Sequence, residues 1–490
     1  MPDGVSPDRP PRRGLSSGVA PEWIVWIGIS LLVVARLPLL AHRTFDWDEF
    51  EHAHAAWCWW KGMLPYRDFF EHHTPWYYLL LRPLFDWFAV DASLADATRF
   101  LIAARVLSLA LTGLSLLLIV ELGRQWRDRR VGVLAAFLLV GQPFVFQKTL
   151  EARPDVPAMA LFLTCLWCLV RALRTPRGQL RGFVSAGLAL GAAVMFTQKM
   201  LFVLPGMAVV FLAWVVADER PARLRLGTVF LAGLFVPGLL TWAWFSLHHD
   251  GGAFLANNFL LNATWKPLAT PQFRNLLMYS APILILALLA AVEILRRFFR
   301  TRRGDPADLL LLATLVGLFA GVAVIPVAQQ QYYLMPVPIA CLLAAWAAVT
   351  LIDRLPPARR TRALIISLLA LSILPAAFLG QAYGLRNDRQ LARLGEIFAR
   401  TGRTDLVMDG FEGTGVFRPH AFYYFFIHTD LRPMLAPARL DAYLDDLERG
   451  RVRPRVIALD KHLVSLGPRF LGFVNRNYSS EDGFLYYRNR

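Results

Sequence analysis

The segment FDWDEFEHAHAAWCWW, residues 45–60, concentrates side chains that exchange protons or bind metal ions. Its carboxylates and imidazoles are the groups that a proton-transfer site or a metal site requires. If residues 46–62 form a helix, Asp48 and His52 lie four residues apart on one face. A solvated loop is the alternative interpretation. The interleaved tryptophans count against it, because they favour the membrane surface, where their rings are anchored. We therefore predict a chemical role for this segment.

The chain around this segment is predicted to be a polytopic α-helical membrane protein. It has 490 residues, of which 56% are hydrophobic, and its mean hydropathy is +0.42. Long apolar runs approach the roughly 20 residues that a transmembrane helix needs, and lipid forces such runs to be helical. About eleven spans are predicted, at 22–41, 98–122, 131–147, 155–173, 183–197, 199–217, 226–246, 275–294, 307–325, 332–351 and 363–383.

The net charge of +16 follows the membrane topology and does not indicate a nucleic-acid partner. Arginines cluster in alternate gaps between the spans, which is the positive-inside pattern. The gaps are 124–130, 171–181, 220–225, 296–303 and 354–362. This pattern predicts a disordered cytoplasmic tail at 1–21 and a transmembrane catalytic domain at 22–383. An odd number of crossings then places the C-terminal segment outside.

Three segments are predicted to lie on the outer side. The first outer loop, 42–97, includes an apolar stretch at 74–90 that we interpret as an interfacial or re-entrant helix. A medium loop covers 247–274. The last segment, 384–490, alternates helical and strand patterns and predicts a small extracytoplasmic α/β domain. The CLWC pattern at 165–168 lies within a predicted span, where small apolar cysteines are ordinary.

All ten histidines fall in these predicted outer segments, and five of them lie between residues 42 and 73. The full set is His42, His52, His54, His72, His73, His248, His249, His420, His428 and His462. The ionisable residues therefore crowd one face of the membrane.

The stretch DWDEFEHAHAAWCWWKGMLPYRDFFEHHTPWYYLLLRPLF resembles the first extracytoplasmic loop of GT-C fold glycosyltransferases. It is most similar to the bacterial aminoarabinose-transferase and protein O-mannosyltransferase-like group, whose members take sugars from polyprenyl-phosphate carriers. The resemblance implies a GT-C type fold and matches the group's Asp-Glu pair to Asp48 and Glu49. It also matches the group's Phe-Glu-Lys-Pro-Pro-like element to FFEHHTPWYYLL.

This second element departs from the group's pattern. Where the group has a lysine after the glutamate, this chain has His72 after Glu71, then His73 and one extra residue before Pro75. A histidine is charged only when protonated. Either another cation holds the carrier phosphate, or His72 and His73 help to bind a metal that does, with Glu71 and His72 as expected ligands.

Other outer residues resemble donor-binding elements of the same group. KTLEARPD, 148–155, supplies Glu151, Arg153 and Asp155, although Asp155 would also serve as an ordinary helix N-cap. TQKM, 197–200, supplies Lys199, for which a snorkelling lysine is the alternative. AQQQYYLMPVP, 328–338, supplies Gln330 and Tyr333 for sugar binding, unless its tyrosines belong to an interfacial aromatic belt.

The resulting prediction is an inverting glycosyl transfer from a polyprenyl-phosphate carrier to an acceptor hydroxyl, at the outer face of the plasma (inner) membrane. Asp48 would accept the proton of the acceptor hydroxyl. Glu49 would orient Asp48 or help to hold a metal. The expected partners are the lipid-linked donor, membrane lipid and a glycan, lipid or protein acceptor, with no nucleic acid and no prediction of oligomeric state.

The expected cofactor is a divalent metal (Mg, Mn or Zn). No nucleotide cofactor is expected, because the sequence has no P-loop or GxGxxG element between a strand and a helix. The alternative function is a transporter or flippase of lipid-linked sugars, which would place charges at mid-membrane.

Overall fold

The computed structural model describes residues 22–175, 178–217, 220–248, 250–264, 273–301, 304–325, 329–428 and 437–489. The predicted N-terminal tail, 1–21, lies outside these residues.

Helices make up most of the described chain up to Gly384. In chain order they are α1 (Glu22–Val34), α2 (Leu37–His42), α3 (Trp47–Trp60), α4 (Trp76–Trp87), α5 (Leu94–Trp126), α6 (Arg129–Gly141), α7 (Pro143–Lys148), α8 (Asp155–Arg174), α9 (Gln179–Phe196), α10 (Val203–Ala217), α11 (Arg220–His248), α12 (Gly251–Leu255), α13 (Leu261–Ala263), α14 (Phe273–Thr301), α15 (Pro306–Val324), α16 (Pro336–Asp353) and α17 (Pro357–Gly384). Two 3-10 helices, Gln198–Phe202 and Gln330–Leu334, precede α10 and α16, and a π-helical turn, Ala256–Leu260, lies between α12 and α13.

Ten helical segments in the described part of the chain are long and apolar enough to cross a bilayer. They correspond to ten of the eleven predicted spans. The remaining predicted span, 131–147, is divided between α6 and α7. The backbone of Gln142 is extended there, because the following Pro143 disfavours a helical conformation at the residue before it. The Gln142 side chain then caps α7 by accepting a hydrogen bond from Phe144 N at 2.8 Å.

Small residues let neighbouring helices approach closely in the membrane part. On α9, a Cβ built at Gly187 would lie 2.1 Å from Phe230 O of α11, and one built at Gly191 would lie 2.2 Å from Leu234 O. Glycine at these two positions therefore permits direct backbone contact between α9 and α11, as small residues do in membrane bundles. This packing fixes the C-terminal part of α9, after which the chain turns toward Lys199.

The first outer loop contains two helices. The segment predicted as a helix at 46–62 forms α3, and the stretch at 74–90 contains α4. With 12 residues, α4 is about 18 Å long and too short to cross the roughly 30 Å hydrocarbon core. It buries Tyr77, Tyr78, Leu81 and Phe85 against the rest of the protein. The prediction that this stretch does not span the membrane agrees with the structure.

The C-terminal segment forms helices around a small four-stranded sheet. Its elements are α18 (Asp388–Arg400), β1 (Val407–Asp409), α19 (Pro437–Glu448), β2 (Val456–Ala458), α20 (Lys461–Val464), α21 (Pro468–Asn477), β3 (Tyr478–Ser480) and β4 (Leu485–Arg488). The strand order is β1-β2-β4-β3. The β1–β2 pair is parallel, and β4 is antiparallel to both β2 and β3. The elements predicted from the sequence correspond to α18, β1, α19 and β2.

The C-terminal segment packs directly on the first outer loop. Phe70 N donates to Tyr423 O at 2.8 Å, and the Tyr423 hydroxyl donates to Tyr66 O at 3.0 Å. A Cβ built at Gly413, whose φ is +75°, would lie 2.3 Å from Phe50 of α3. Residues 410–428 therefore pack against α3 and the rest of the first outer loop.

Candidate active site

The acidic residues at the start of α3 form a capping box. The Asp46 carboxylate accepts a hydrogen bond from Asp48 N at 3.2 Å, and the Glu49 carboxylate accepts one from Asp46 N at 2.8 Å. Such reciprocal bonds satisfy donors that a helix N-terminus leaves free, and negative charge is favourable there. The capping box holds the first turn of α3, which carries Asp48.

Glu49 is a buried structural anchor in this geometry. Its two carboxylate oxygens accept from Arg105 Nε at 2.8 Å and Arg105 Nη2 at 2.7 Å, and one of them also accepts from Ala152 N at 2.9 Å. Arg105 in turn donates to the backbone carbonyls of Arg43 and Thr44. These contacts leave the Glu49 carboxylate no free position for a metal, and its orienting role stays a prediction.

A chain of ion pairs connects Asp48 to Lys199. Arg153, which precedes α8, donates to Asp48 and to Asp46, at 2.5 and 3.2 Å. Its Nε lies 3.7 Å from Asp155, whose carboxylate pairs with Lys199 Nζ at 3.0 Å. The side chain of Arg153 is 2% exposed, whereas those of Asp48 and Lys199 are 28% and 21% exposed. The structure thus brings these predicted site residues together, with Asp48 and Lys199 accessible.

Glu151 is the centre of a second, deeper set of ion pairs. Its carboxylate contacts Lys148 at 2.9 Å, Arg153 at 2.9 Å and Arg43 at 3.4 Å, and it is fully buried. Lys148 also reaches Asp46 at 3.0 Å. Burial alone would raise the pKa of Asp46, but Lys148 and Arg153 outweigh it and hold that pKa well below the ordinary value. Lys148 and Arg43 were not among the residues predicted for the site.

Glu51, Glu71, His72 and His73 form a compact cluster beside these ion pairs. One oxygen of Glu71 accepts from His72 N, His73 N and His73 Nδ1, at 2.8, 2.9 and 2.8 Å. His73 Nδ1 lies 3.6 Å from Glu51 Oε1. Burial, followed by repulsion from Glu71, raises the pKa of Glu51 well above its ordinary value. Burial acts in the same direction on Glu71, but the hydrogen bond from His73 and the charges of His73 and His72 together outweigh it and lower that pKa.

This cluster has the donor atoms that a divalent metal needs. One potential ligand atom from each of the four side chains lies within 4.8 Å of all the others. Within the described residues, Glu51 Oε1 is buried and has no hydrogen-bond partner. Two carboxylates and two imidazoles suit Zn²⁺ or Mn²⁺ better than Mg²⁺, which prefers oxygen ligands. The predicted ligands Glu71 and His72 therefore lie in a suitable group, and Glu51 and His73 join them.

His52 lies between the two groups of charges. Its ring contacts His73 and Tyr77, with centroids 4.9 and 5.5 Å apart. Burial lowers the pKa of His52 well below its ordinary value, and the charges of His73 and Arg153 lower it further. These surroundings favour the neutral form of His52, and its ring packs against the cluster from the face of α3 that also carries Asp48.

Amide side chains fix the position of the loop that carries His72. The His72 carbonyl accepts from Gln198 Nε2 at 2.7 Å and from Asn262 Nδ2 at 2.9 Å. Gln198 is the neighbour of Lys199 in the 3-10 helix that follows α9. The histidine cluster and Lys199 are thus held by the same turn of the chain.

The remaining predicted residues, Gln330 and Tyr333, belong to the second 3-10 helix and differ in environment. Lys199 Nζ lies 4.0 Å from the ring centroid of Tyr332. The Tyr333 ring is buried and packs near Phe144, with centroids 5.9 Å apart. Gln330 is partly exposed at the start of the turn. Of these two tyrosines, Tyr332, which was not predicted, is therefore the one that contacts the ion-pair chain.

Residues 83–244 match the protein-family model described as dolichyl-phosphate-mannose-protein mannosyltransferase. No curated protein matches the chain in sequence.

Solved structures of two enzymes share its fold. ArnT from Cupriavidus metallidurans bound to undecaprenyl phosphate matches with a TM-score of 0.62 and 13% identity, over 96% of this chain and 98% of that chain. The oligosaccharyltransferase AglB from Archaeoglobus fulgidus, in complex with an inhibitory peptide and a dolichol-phosphate, matches with a TM-score of 0.58 and 12% identity, over 96% of this chain and 74% of that chain.

A third match is the Archaeoglobus fulgidus oligosaccharyltransferase in complex with Zn and sulfate, with a TM-score of 0.55 and 13% identity, over 81% of this chain and 62% of that chain. The chain therefore has the GT-C fold, as the resemblance of its first outer loop predicted.

Proposed function

We propose that the protein is an inverting glycosyltransferase that moves a sugar from a polyprenyl-phosphate carrier to an acceptor hydroxyl at the outer face of the membrane. The observation that carries the proposal is the ion-pair chain from Asp48 through Arg153 and Asp155 to Lys199. It joins a partly exposed carboxylate and a partly exposed ammonium group within a GT-C fold. A base for the acceptor and a cation for the carrier phosphate are the two groups that this reaction requires.

Lys199 is the cation best suited to meet the carrier phosphate. Among the cations of the neighbouring ion pairs its side chain is the most exposed, at 21% against 8% for Lys148, 7% for Arg43 and 2% for Arg153. Lysine binds phosphate as a point charge. The similar ArnT and AglB structures each contain a polyprenyl phosphate. This supports a lipid-linked phosphate as the group that Lys199 contacts here.

The reaction moves one bond and one proton. The acceptor oxygen forms a bond to the anomeric carbon while the bond from that carbon to the phosphate oxygen breaks, with inversion. The leaving electron pair stays on the phosphate, whose charge changes from −1 to −2, and the acceptor proton passes to Asp48. Lys199 stabilises the additional negative charge, and Arg153 holds the Asp48 carboxylate in position.

A divalent ion, where present, would be held by Glu51, Glu71, His72 and His73. When bound it supplies positive charge beside the departing phosphate. The donor set favours Zn²⁺ or Mn²⁺, and Glu49 is committed to Arg105 instead. Gln330 and Tyr333 are proposed to contact the donor sugar. Tyr332 is proposed to contact it as well, because its ring lies against Lys199.

We further propose that the protein is a multi-pass protein of the plasma (inner) membrane, with a cytoplasmic tail at 1–21, a catalytic domain at 22–383 and an extracytoplasmic domain at 384–490. The arginine-rich gaps at the opposite ends of the spans from the candidate site support this orientation. Fusion of a reporter that is active only outside the cytoplasm after residue 489 should give an active product, whereas fusion after Asp128 should not.

The direct test is consumption of synthetic polyprenyl-phosphate sugars by purified protein and by Asp48→Asn. A positioned base contributes roughly 10²–10⁴-fold in rate, so the variant should lose that factor while its thermal unfolding is unchanged. Asp250→Asn is the matched control, because Asp250 is a carboxylate that caps the outer helix α12 and asparagine also caps helices. No turnover of any donor, with carrier binding retained, would favour the flippase, and full activity of Asp48→Asn would exclude Asp48 as the base.

A further inference from the structure

A second group of metal-binding side chains lies where α3 meets the C-terminal segment. His54 and Cys58 are four residues apart on α3, so they occupy the same face of that helix. His420 approaches them from the C-terminal segment, 362 residues after Cys58. Cys58 is fully buried and His54 is 5% exposed. The mechanism proposed above uses none of these three residues.

Three potential ligand atoms point toward one another in this group. His54 Nε2 lies 2.9 Å from His420 Nδ1 and 3.4 Å from Cys58 Sγ, and Cys58 Sγ lies 3.7 Å from His420 Nδ1. A tetrahedral zinc ion with Zn–N of 2.0–2.1 Å and Zn–S of 2.3 Å would separate two nitrogens by roughly 3.3 Å, and a nitrogen from a sulfur by roughly 3.6 Å. The three observed separations lie within about 0.4 Å of these values.

The orientation of His54 makes its inward nitrogen a ligand. His54 Nδ1 is 2.8 Å from the Val416 carbonyl oxygen. A carbonyl oxygen only accepts hydrogen bonds, so Nδ1 carries the hydrogen and Nε2 presents its lone pair to Cys58 and His420. Metal-binding histidines usually donate their other N–H to such a carbonyl, which fixes both the tautomer and the ring orientation. The His420 ring also has a hydrogen bond to the backbone of Asp68.

We propose that His54, Cys58 and His420 form a zinc site that joins α3 to the C-terminal segment. Two imidazoles and one thiolate are ligands that select Zn²⁺ over Mg²⁺ or Ca²⁺. The adjoining cavity, lined in part by His54, His420 and Phe425, has a volume of about 40 Å³. A water molecule needs roughly 10–15 Å³, so the cavity has room for water as the fourth ligand.

The consequence of zinc binding is positional. Asp48 and Glu51 lie on the same helix as His54 and Cys58, and His420 belongs to the segment that covers this helix. Zinc would therefore clamp the C-terminal segment onto the helix that carries the proposed base. The ion would link residues that are 362 positions apart in the sequence. A link that closes so long a loop removes more chain entropy from the unfolded state than a link that closes a short one.

Replacement of zinc by cobalt tests this site specifically. The full-length protein in detergent is stripped with chelator and titrated with Co²⁺, which gives a near-ultraviolet thiolate-to-cobalt charge-transfer band only when a cysteine sulfur is bound. We expect one equivalent of Co²⁺ per chain with this band, and its displacement by Zn²⁺. Glu71→Gln, which alters the other metal cluster, should retain the band.

Two variants and one matched control complete the experiment. Cys58→Ser should abolish the charge-transfer band, and His420→Gln should weaken Co²⁺ binding at least tenfold. Cys341→Ser should leave both unchanged, because Cys341 is a buried cysteine of α16. A wild-type protein that binds no Co²⁺ with a thiolate band would overturn the proposal even if a variant fails to fold, and so would a band that persists in Cys58→Ser. These outcomes do not depend on glycosyl transfer.

Discussion

Arg105 donates hydrogen bonds to both carboxylate oxygens of Glu49, at 2.8 and 2.7 Å, and the side chains of Arg105 and Glu49 are 0% and 1% exposed. Glu49 is adjacent to Asp48 in the sequence, yet the two carboxylates have different surroundings. Asp48 is 28% exposed and pairs with Arg153 at the edge of the site. The geometry therefore separates an anchoring residue from an accessible one within a single Asp-Glu pair.

Glu49→Gln should destabilise the protein far more than Asp48→Asn does. Removal of one partner from a buried ion pair leaves the other charge uncompensated, at a cost of roughly 3–5 kcal/mol. Thermal unfolding of both variants in detergent measures the difference. Activity should fall in both, but only Glu49→Gln should unfold at a clearly lower temperature. A Glu49→Gln protein that is as stable as the wild type but inactive would instead give Glu49 a direct chemical role.

The fold and part of the candidate site were accessible from the sequence because they depend on local patterns. Hydropathy located the spans, and the acidic start of α3 was visible as a short motif. The break at Gln142 was not predicted, since a single Gln-Pro step does not change the mean hydropathy of the span. The strands β3 and β4 were also missed, because strands of three or four residues carry too little periodicity.

The contacts between residues distant in the sequence could not be predicted, as the cations of the site show. Arg105 and Lys148 lie 56 and 102 residues from the carboxylates that they contact, so their partners are defined only by the fold. His420 is separated from His54 by 366 residues. The contact between Tyr332 and Lys199 was not predicted for a different reason. Adjacent residues of a short turn face different directions, and the motif does not specify which one faces the site.

Metal binding by the cluster of Glu51, Glu71, His72 and His73 should strengthen as the pH rises. The raised pKa of Glu51 means that this carboxyl keeps its proton to a higher pH than an ordinary glutamate does, and it must lose that proton to bind a metal. Titration with Mn²⁺ at several pH values measures the effect. Glu51→Gln should bind more weakly and with a flatter pH dependence. Affinity that does not change with pH in the wild type would contradict this account.

Asp460 should make the stability of the C-terminal segment depend on pH. Burial and the nearby Asp409 raise the pKa of Asp460 to about 6, from an ordinary value of 3.8. The folded state therefore binds this proton more tightly than the unfolded state does. Ionised Asp460 lowers the free energy of unfolding at pH 7, and that free energy rises again as the pH falls from 7 to 4. The full difference is roughly 3 kcal/mol.

The comparison with Asp460→Asn isolates this effect. Asparagine retains the helix cap at the start of α20 but has no proton to titrate. Relative to this variant, the wild type should gain unfolding temperature as the pH is lowered from 7 to 4. The control Asp388→Asn should change in the opposite direction, because Arg386 lowers the pKa of the exposed Asp388. A constant difference between wild type and Asp460→Asn would show that Asp460 has the same pKa in the folded and unfolded states.

Lys199→Met should weaken donor binding while sparing the fold. Lys199 Nζ contacts Asp155 at 3.0 Å and the face of Tyr332 at 4.0 Å, and it is the accessible end of the ion-pair chain. Hydrogen bonds to charged groups contribute roughly 1.5–3 kcal/mol, so KM for the lipid-linked donor should rise about 10- to 100-fold. Lys199→Arg keeps the charge and should recover part of this loss.

Lys61→Met is the matched control for Lys199→Met, since Lys61 also pairs with a carboxylate, Asp91, in the first outer loop. Steady-state kinetics with the donor varied, together with direct binding of polyprenyl phosphate, separates the two variants. If Lys199 binds the carrier phosphate, polyprenyl phosphate alone should bind Lys199→Met less tightly than Lys61→Met. Equal binding by the two variants would show that Lys199 pairs with Asp155 but does not bind the phosphate. Another cation, such as Arg153, would then have to contact the phosphate.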